Sequence, residues 1–130
     1  MSLVLLDTHL LLWAAAGDRR LPDAVVSRLE DWANQPLYSA ASIWEVVIKS
    51  GLGRKDFSVD ASLLRRGLLD NGYRELPITG AHALAVARLP NHHRDPFDRI
   101  LAGQANAEGI ELLTADRTLA AYPGPVTLVN

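Results

Sequence analysis

The chain has 130 residues, a formal net charge of −2 and a hydrophobic share of 48%. This length and this hydrophobic share predict a single domain with one core over residues 1–130. The absence of cysteine excludes disulfides and zinc–thiolate sites. Because no apolar stretch approaches the roughly 18 residues of a membrane span, and the first residues lack a signal-peptide pattern, we expect a cytoplasmic protein with no membrane partner.

The first half of the chain combines strand and helix patterns. A short apolar run over residues 2–6 predicts a buried strand, which is followed by Asp7 and by a helical stretch that ends at Gly17. Pro22 and apolar residues at helical spacing predict a helix over residues 21–35. The patterns that come next predict a strand over residues 36–40 and a helix over residues 41–53.

The second half of the chain continues in the same way after a looser segment. The predicted helices cover residues 61–71, 80–88, 96–108 and 116–122, and the predicted strands cover residues 73–78, 110–114 and 126–129. Thr79 is a candidate cap for the second of these helices. Strands that alternate with helices predict an α/β fold with a mainly parallel sheet and helices on both faces.

Three aspartates have a simple structural explanation as helix caps. Asp7 and Asp116 come just after predicted strands, where a carboxylate can accept hydrogen bonds from the first backbone N–H groups of a helix. Asp95 precedes Pro96, and this dipeptide is a strong signal for the start of a helix. Asp98 then falls in the first turn, where the helix dipole favours an acid. Because Asp95 already supplies the cap, Asp98 is not needed for capping and can serve another partner.

Glu45 has two explanations that the sequence leaves open. Ser42 and Glu45 fit the Ser-x-x-Glu pattern of a capping box. Alternatively, apolar neighbours on nearly every side indicate a deeply packed helix. A carboxylate in such a helix must be paired, hydrogen-bonded or bound to a cation.

The joint pattern of the acids indicates more than capping. Four acids lie at or near the start of a helix, and they are Asp7, Glu45, Asp98 and Asp116. The carboxyl ends of parallel strands share one edge of a sheet, where ligand sites form. Carboxylates gathered there repel one another, and Mg²⁺ or Mn²⁺ with oxygen ligands removes that repulsion. Such an ion can orient an attacking water and stabilise an oxyanion in phosphoryl displacement.

Four motifs together resemble the PIN-domain ribonucleases of the VapC toxin type. They are LLDTHLLLW around Asp7, SAASIWEVVIK around Glu45, HHRDPFDRILAGQA around Asp98 and LLTADRTL around Asp116. They occur in the family's order and spread over nearly the whole chain. The resemblance implies a three-layer α/β/α sandwich with a mainly parallel central sheet, and Mg²⁺- or Mn²⁺-dependent cleavage of RNA. It also implies a homodimer and a small antitoxin that occupies the groove of the active site.

The resemblance assigns roles to individual residues. The family's three aspartates fall on Asp7, Asp98 and Asp116, which we expect to hold the main metal ion, and its glutamate falls on Glu45. We expect Glu45 to complete the acidic pocket, either as a ligand of a second ion or as a group that positions water. Expected neighbours at the rim or behind these acids are Thr8, Ser42, Asp95, Arg99 and Thr114.

Two other functions remain alternatives. A phosphatase on a related α/β fold would need a second acid two residues after Asp7, but that position is His9. A non-catalytic binding module would use the acids only to cap helices or to bind a basic peptide.

Several other side chains have a functional and a structural interpretation. The pairs Arg19–Arg20, Arg54–Lys55 and Arg65–Arg66 are candidate phosphate contacts, although each also suits a solvated surface. His92 and His93 could contact phosphate or could be solvated loop residues. We expect the three tryptophans in the core or at an interface.

Overall fold

Helices connect the strands throughout the computed structural model, which describes residues 1–52, 58–91 and 94–130. The strands are β1 (Ser2–Leu6), β2 (Asn34–Ser39), β3 (Arg74–Leu76), β4 (Glu111–Thr114) and β5 (Val126–Leu128). The helices are α1 (Thr8–Ala16), α2 (Asp23–Glu30), α3 (Ala40–Gly51), α4 (Ala61–Asp70), α5 (Gly80–Val86), α6 (Pro96–Glu108) and α7 (Arg117–Ala120).

The five strands of the described segments form one parallel sheet in the order β3-β2-β1-β4-β5. The central strand β1 pairs with β2 on one side and with β4 on the other. From β1 the chain first builds the sheet outwards through β2 and β3, and it then returns to add β4 and β5. The sheet therefore has a switch point between β1 and β4, where a crevice opens at the carboxyl ends of the strands.

Alternate residues of the strands face two separate apolar layers. Val4 and Leu6 of β1 pack with α1, α2, α3 and α4. Leu5, between them, packs on the opposite face with residues of α6 and α7. This alternation is the two-residue period of a strand that is buried on both faces. The expected three-layer α/β/α sandwich is thus confirmed, and the sheet is parallel in each described pairing.

Most predicted elements are confirmed, and the largest error concerns α2. The sequence predicted a helix up to residue 35, but the helix ends at Glu30. Asp31 takes an extended conformation, and its carboxylate accepts a hydrogen bond from the backbone of Ala33. Trp32, which we expected in the core or at an interface, is 88% exposed. The strand β2 begins earlier than predicted, at Asn34.

The helix α3 is less deeply packed than its sequence indicated. Its apolar face includes Val46, which is buried, but Trp44 is 59% exposed and Val47 is 52% exposed. Trp44 contacts Phe97 of α6 edge to face, with ring centroids 5.4 Å apart. The expectation that apolar residues on every side mean burial was therefore wrong for this helix. In the ranges given above, no helix is long and apolar enough to cross a membrane.

The helices α5 and α6 approach each other closely at Gly103. A Cβ atom at this position would lie 2.9 Å from Cγ2 of Val86 and 3.0 Å from the backbone oxygen of His82. The backbone contact cannot be relieved by a side-chain rotation. The absence of a side chain at Gly103 therefore allows α5 to pack against α6.

We expect Gly103→Ala to lower the free energy of unfolding by about 1–3 kcal/mol, because the added methyl group overpacks this contact. Gly67→Ala is the matched control, since Gly67 also lies inside a helix but has open space where its Cβ would be. That variant is expected to gain roughly 0.5–1 kcal/mol from the helix preference of alanine. Urea unfolding of both variants measures the difference, and equal stability would contradict the close approach.

Candidate active site

The carboxyl ends of β1 and β4 bring two acids to the switch point of the sheet. Asp7 follows β1, and its backbone N–H donates to the carbonyl of Leu113 in β4 at 3.1 Å. Asp116 follows β4 by one residue and lies at the surface. Both side chains cap helices, as predicted, because Asp7 accepts from the backbone of Leu10 and Asp116 accepts from that of Thr118.

The hydroxyl of Thr114 joins these two acids. Its Oγ1 donates to Oδ2 of Asp7 at 2.5 Å and accepts a hydrogen bond from the backbone N–H of Asp116 at 3.0 Å. Thr114 is fully buried, and Asp7 is 4% exposed. Burial raises the pKa of Asp7, and the hydrogen bonds from Thr114 and Leu10 oppose that rise. Thr114, which we expected behind the acids, therefore fixes one carboxylate directly and holds the loop that carries the other.

Glu45 lies on α3 and is 4% exposed. Its Oε1 accepts from the hydroxyl of Thr8 at 2.7 Å, and that hydroxyl lies 2.9 Å from the hydroxyl of Ser42. Because Thr8 has one hydroxyl proton, which it gives to Glu45, Ser42 must supply the proton of the second hydrogen bond. Thr8 and Ser42 thus form a chain of hydroxyls that orients Glu45.

The capping-box explanation of Ser42 and Glu45 was wrong. The helix α3 begins at Ala40, and its cap is Ser39, whose side chain accepts from the backbone N–H of Ala41. Ser42 is therefore already inside the helix and is buried. The buried carboxylate of Glu45 therefore needs a partner other than the cap. Lys49 is that partner, with a salt bridge to Oε2 of Glu45 at 2.5 Å.

Sequence analysis did not single out Lys49. Its signal was nevertheless present, because a lysine four residues after a glutamate faces the same side of a helix. The pair Glu45–Lys49 has that spacing.

Asp98 belongs to the same acidic cluster. It lies in the first turn of α6 and is partly buried. Burial raises the pKa of its carboxyl group to about 7, and the negative charges of four neighbouring acids contribute, in decreasing order Asp95, Glu45, Asp116 and Asp7. Mutual repulsion therefore reaches Asp98 from three other elements of the fold. The other three acids that sequence analysis singled out are thus near enough for their charges to act on Asp98.

Asp95 caps α6, as its sequence indicated. Its Oδ1 accepts hydrogen bonds from the backbone N–H groups of Phe97 and Asp98, at 2.9 and 3.3 Å. Its charge contributes to the raised pKa of Asp98, so it also borders the site electrostatically.

The guanidinium of Arg99 contacts groups outside the acidic cluster. Its guanidinium donates to the backbone oxygens of Pro90 and Val86 and to the hydroxyl of Tyr122, and it lies over the ring of Tyr122. We expected Arg99 at the rim of the site, but in the structure it connects α6 to the end of α5 and to the segment after α7. The physical reason is that the N–H groups of its guanidinium find their acceptors there, in two backbone oxygens and the hydroxyl of Tyr122.

A notch of about 270 Å³ opens between the two strand ends, lined by Asp7, His9, Trp13, Ala115 and Asp116. In the portion of the chain that the structure describes, no three carboxylate or histidine side chains lie close enough to hold a metal ion as they stand. The donors nevertheless fit Mg²⁺ or Mn²⁺ in chemistry, since they are hard carboxylate oxygens, and the negative charges of the other acids help to raise the pKa of Asp98. His92, His93 and the pair Arg54–Lys55 lie outside the described residues.

The other arginine pairs have partners at the surface. Arg20 forms a salt bridge with Asp18, and Arg65 forms one with Glu75. Such exposed pairs contribute little to stability and can exchange for phosphate. They stay candidate contacts for a nucleic acid.

The PIN domain family matches residues 4–125. The chain belongs to the PIN-domain family. Ribonuclease VapC22 from Mycobacterium tuberculosis is 30% identical to the chain over 131 residues, which cover 98% of the chain and 99% of that relative. This likeness identifies a PIN domain of the VapC type and confirms the resemblance drawn from the four motifs.

Solved structures with low sequence identity share the PIN fold. VapBC2 from Rickettsia felis, bound to a DNA fragment from its promoter, matches with a TM-score of 0.71 and 16% identity, covering 98% of this chain and 99% of that chain. DNA-bound VapBC from Salmonella typhimurium matches with a TM-score of 0.69 and 16% identity, covering 98% of both chains. These likenesses support the fold of the whole PIN domain described above.

Asp98→Asn is expected to stabilise the metal-free PIN domain at about pH 8, by on the order of 1 kcal/mol after allowance for solvent screening. The pKa of Asp98 is about 7 in the fold, against an ordinary value of 3.8. Between these values the folded protein keeps a proton that the unfolded chain has lost, so wild-type stability falls as pH rises through this window. The advantage of the variant should therefore disappear towards pH 4.

Urea unfolding in EDTA across this pH range measures the effect. Asp23→Asn is the control, because Asp23 is an exposed aspartate in the first turn of α2. A pH-independent difference between wild type and Asp98→Asn would show that Asp98 is not coupled to the other acids.

Proposed function

We propose that the chain is a divalent-metal-dependent endoribonuclease and the toxin of a toxin–antitoxin pair in the cytoplasm. The observation that supports this proposal best is that Asp7 and Asp116 follow β1 and β4 at the switch point of the sheet, and that their charges and that of Glu45 add to the raised pKa of Asp98. The likeness to Ribonuclease VapC22 over nearly the full length of both chains supports the choice of RNA as substrate.

Asp7, Asp98 and Asp116 would hold the Mg²⁺ or Mn²⁺ ion. When bound, such an ion lowers the pKa of a water ligand and stabilises the negative charge of the phosphate in an in-line displacement. Thr114 keeps the carboxylate of Asp7 in one orientation, and the backbone hydrogen bond from Asp116 to Thr114 holds the second acid beside it. Asp98, in the first turn of α6, would supply the third carboxylate.

The position of His9 favours this function over a phosphatase. A phosphatase would use Asp7 as a nucleophile and a second acid two residues later as its proton donor. Here His9 occupies that position, and its ring lies 6.1 Å from the ring of Trp13. Oδ2 of Asp7 is also held by Thr114, which suits a ligand more than a free nucleophile.

An antitoxin would bind in the groove that leads away from the acidic notch. A groove of about 720 Å³ runs between α1 and α4, and it shares His9 and Trp13 with the notch. Leu63, which is 64% exposed, lies along this groove. The groove suits an apolar helix that ends in a basic side chain, since its apolar walls lead to a cluster of carboxylates. The solved VapBC complexes share the fold that builds this groove.

A homodimer stays a prediction. The exposed apolar side chains Trp44 and Val47 of α3 supply area for such an interface.

We expect purified wild-type protein to cleave total cellular RNA with Mn²⁺ and not with EDTA, and Asp98→Asn to lose at least about 100-fold of this activity, because a metal ligand is removed. Asp23→Asn removes an exposed carboxylate in the first turn of another helix and should cleave like wild type. Full cleavage by Asp98→Asn would contradict the proposal. Release of phosphate from small phosphoesters without RNA cleavage would favour the phosphatase.

Leu63→Glu is expected to abolish inhibition by the cognate antitoxin without affecting RNA cleavage, because it places a charge in the apolar groove. The antitoxin would be identified as the protein that co-purifies with the wild-type chain and inhibits its cleavage of RNA. Leu84→Glu is the matched control, because Leu84 is 69% exposed on α5 and does not line the groove. Equal inhibition of both variants would place the antitoxin elsewhere.

A further inference from the structure

The salt bridge between Lys49 and Glu45 places a positive charge at the edge of the acidic cluster. Nζ of Lys49 lies 2.5 Å from Oε2 of Glu45, and the two side chains are 31% and 5% exposed. This ion pair gives a basic partner to one acid of the cluster. An ion pair with one partner this deeply buried is fixed more firmly than the exposed pairs of the surface.

Both oxygens of Glu45 are already engaged. Oε1 accepts from the hydroxyl of Thr8 at 2.7 Å, and Oε2 accepts from Lys49. Each carboxylate oxygen can accept a second contact, and Asp7 is also engaged at both oxygens, but both donors to Asp7 are neutral. The donor to Oε2 of Glu45 is instead an ammonium, which repels a metal ion bound to the same carboxylate. Displacing the ammonium would leave a second positive charge beside the incoming ion, and displacing Thr8 would disrupt the hydroxyl chain to Ser42.

The notch between the ends of β1 and β4 does not include the carboxylate of Glu45. Among its described lining residues the acids are Asp7 and Asp116, and neither Glu45 nor Asp98 is one of them. The acid of α3 therefore stands behind the hydroxyl of Thr8, whereas the acids after β1 and β4 border the open space.

We propose that Lys49 serves as a built-in second cation of the site, which holds Glu45 as a positioning residue and limits the site to a single divalent ion. This inference rests on the proposed function for that ion, which Asp7, Asp98 and Asp116 hold. The charge of Glu45 still acts on Asp98 through space, and Lys49 limits the total negative charge that the metal-free fold must bear.

The test counts Mn²⁺ ions bound per chain, by titration calorimetry or by the EPR signal of free Mn²⁺. Wild type is expected to bind one ion. Lys49→Gln frees one oxygen of Glu45 and is expected to bind two, while Lys49→Arg keeps the charge and should bind one. The double variant Glu45→Gln/Lys49→Gln removes the freed carboxylate and should return to one ion.

Arg28→Gln is the matched control for the loss of a positive charge. Arg28 pairs with Glu111 at the same 2.5 Å, and its exposure is similar to that of Lys49, although Glu111 is 32% exposed and Glu45 only 5%. Glu111 begins β4, at the opposite edge of the sheet. This variant should bind one ion, as wild type does. Two ions on wild type, or a single ion on folded Lys49→Gln, would overturn the proposal.

Glu45→Gln gives a second test that does not depend on the folding of Lys49→Gln. The amide oxygen can still accept one hydrogen bond, so the variant keeps part of the local structure. If Glu45 is not a ligand, Mn²⁺ affinity should change by less than about threefold, whereas Asp98→Asn should lower it by tenfold or more. An equal loss in both variants would make Glu45 a ligand and would overturn the proposal.

The RNA assay separates this inference from the proposed function. A wild-type chain that binds one Mn²⁺ but cleaves no RNA would contradict the nuclease function and would leave the role of Lys49 standing. A chain that cleaves RNA with two ions bound would support the nuclease function and would overturn the role proposed for Lys49.

Discussion

Repulsion among carboxylates is the constraint on which the site depends. Acids from different elements act on one another near one edge of a parallel sheet, and the cost is visible in Asp98, whose pKa rises to about 7 through burial and through the charges of its neighbours. The metal-free fold limits this cost in two ways. It raises the pKa of Asp98 to about 7, so that this carboxyl group can bind a proton close to neutral pH, and it pairs Glu45 with Lys49. A divalent cation bound by the remaining acids would remove the rest of the repulsion.

Two buried threonines make the arrangement of these acids possible. Thr114 connects Asp7 to the backbone of Asp116, and Thr8 connects Glu45 to Ser42. Because each hydroxyl can donate one hydrogen bond and accept another, it orients a carboxylate without adding charge. The site is thus held from behind by neutral groups on β4 and α1, while its open side carries the negative charge that suits a metal ion and repels bare phosphate.

Most of the fold could be predicted from the sequence, because strand and helix periods, Asp95–Pro96 and the glycine stops are local signals. The end of α2 was missed, since the apolar residues that suggested a longer helix include Trp32, which is exposed. The four acids could be found by their positions after strands and at helix starts. The turn of Arg99 towards Tyr122 could not, because it depends on a tertiary contact that no local pattern encodes. The cap of α3 at Ser39 is a local hydrogen bond, but the sequence also offers Ser42 as a cap, and no local pattern decides between the two.

The measurement that tests this account most directly is a carbon-13 NMR titration of the carboxyl group of Asp98, first in EDTA and then with Mg²⁺. The account predicts that Asp98 titrates near pH 7 without metal, as its burial and its four acidic neighbours require, and that Mg²⁺ lowers this pKa well below 7. A metal-free pKa close to the ordinary 3.8, or a raised value that Mg²⁺ leaves unchanged, would contradict the claim that these acids form one metal-binding site.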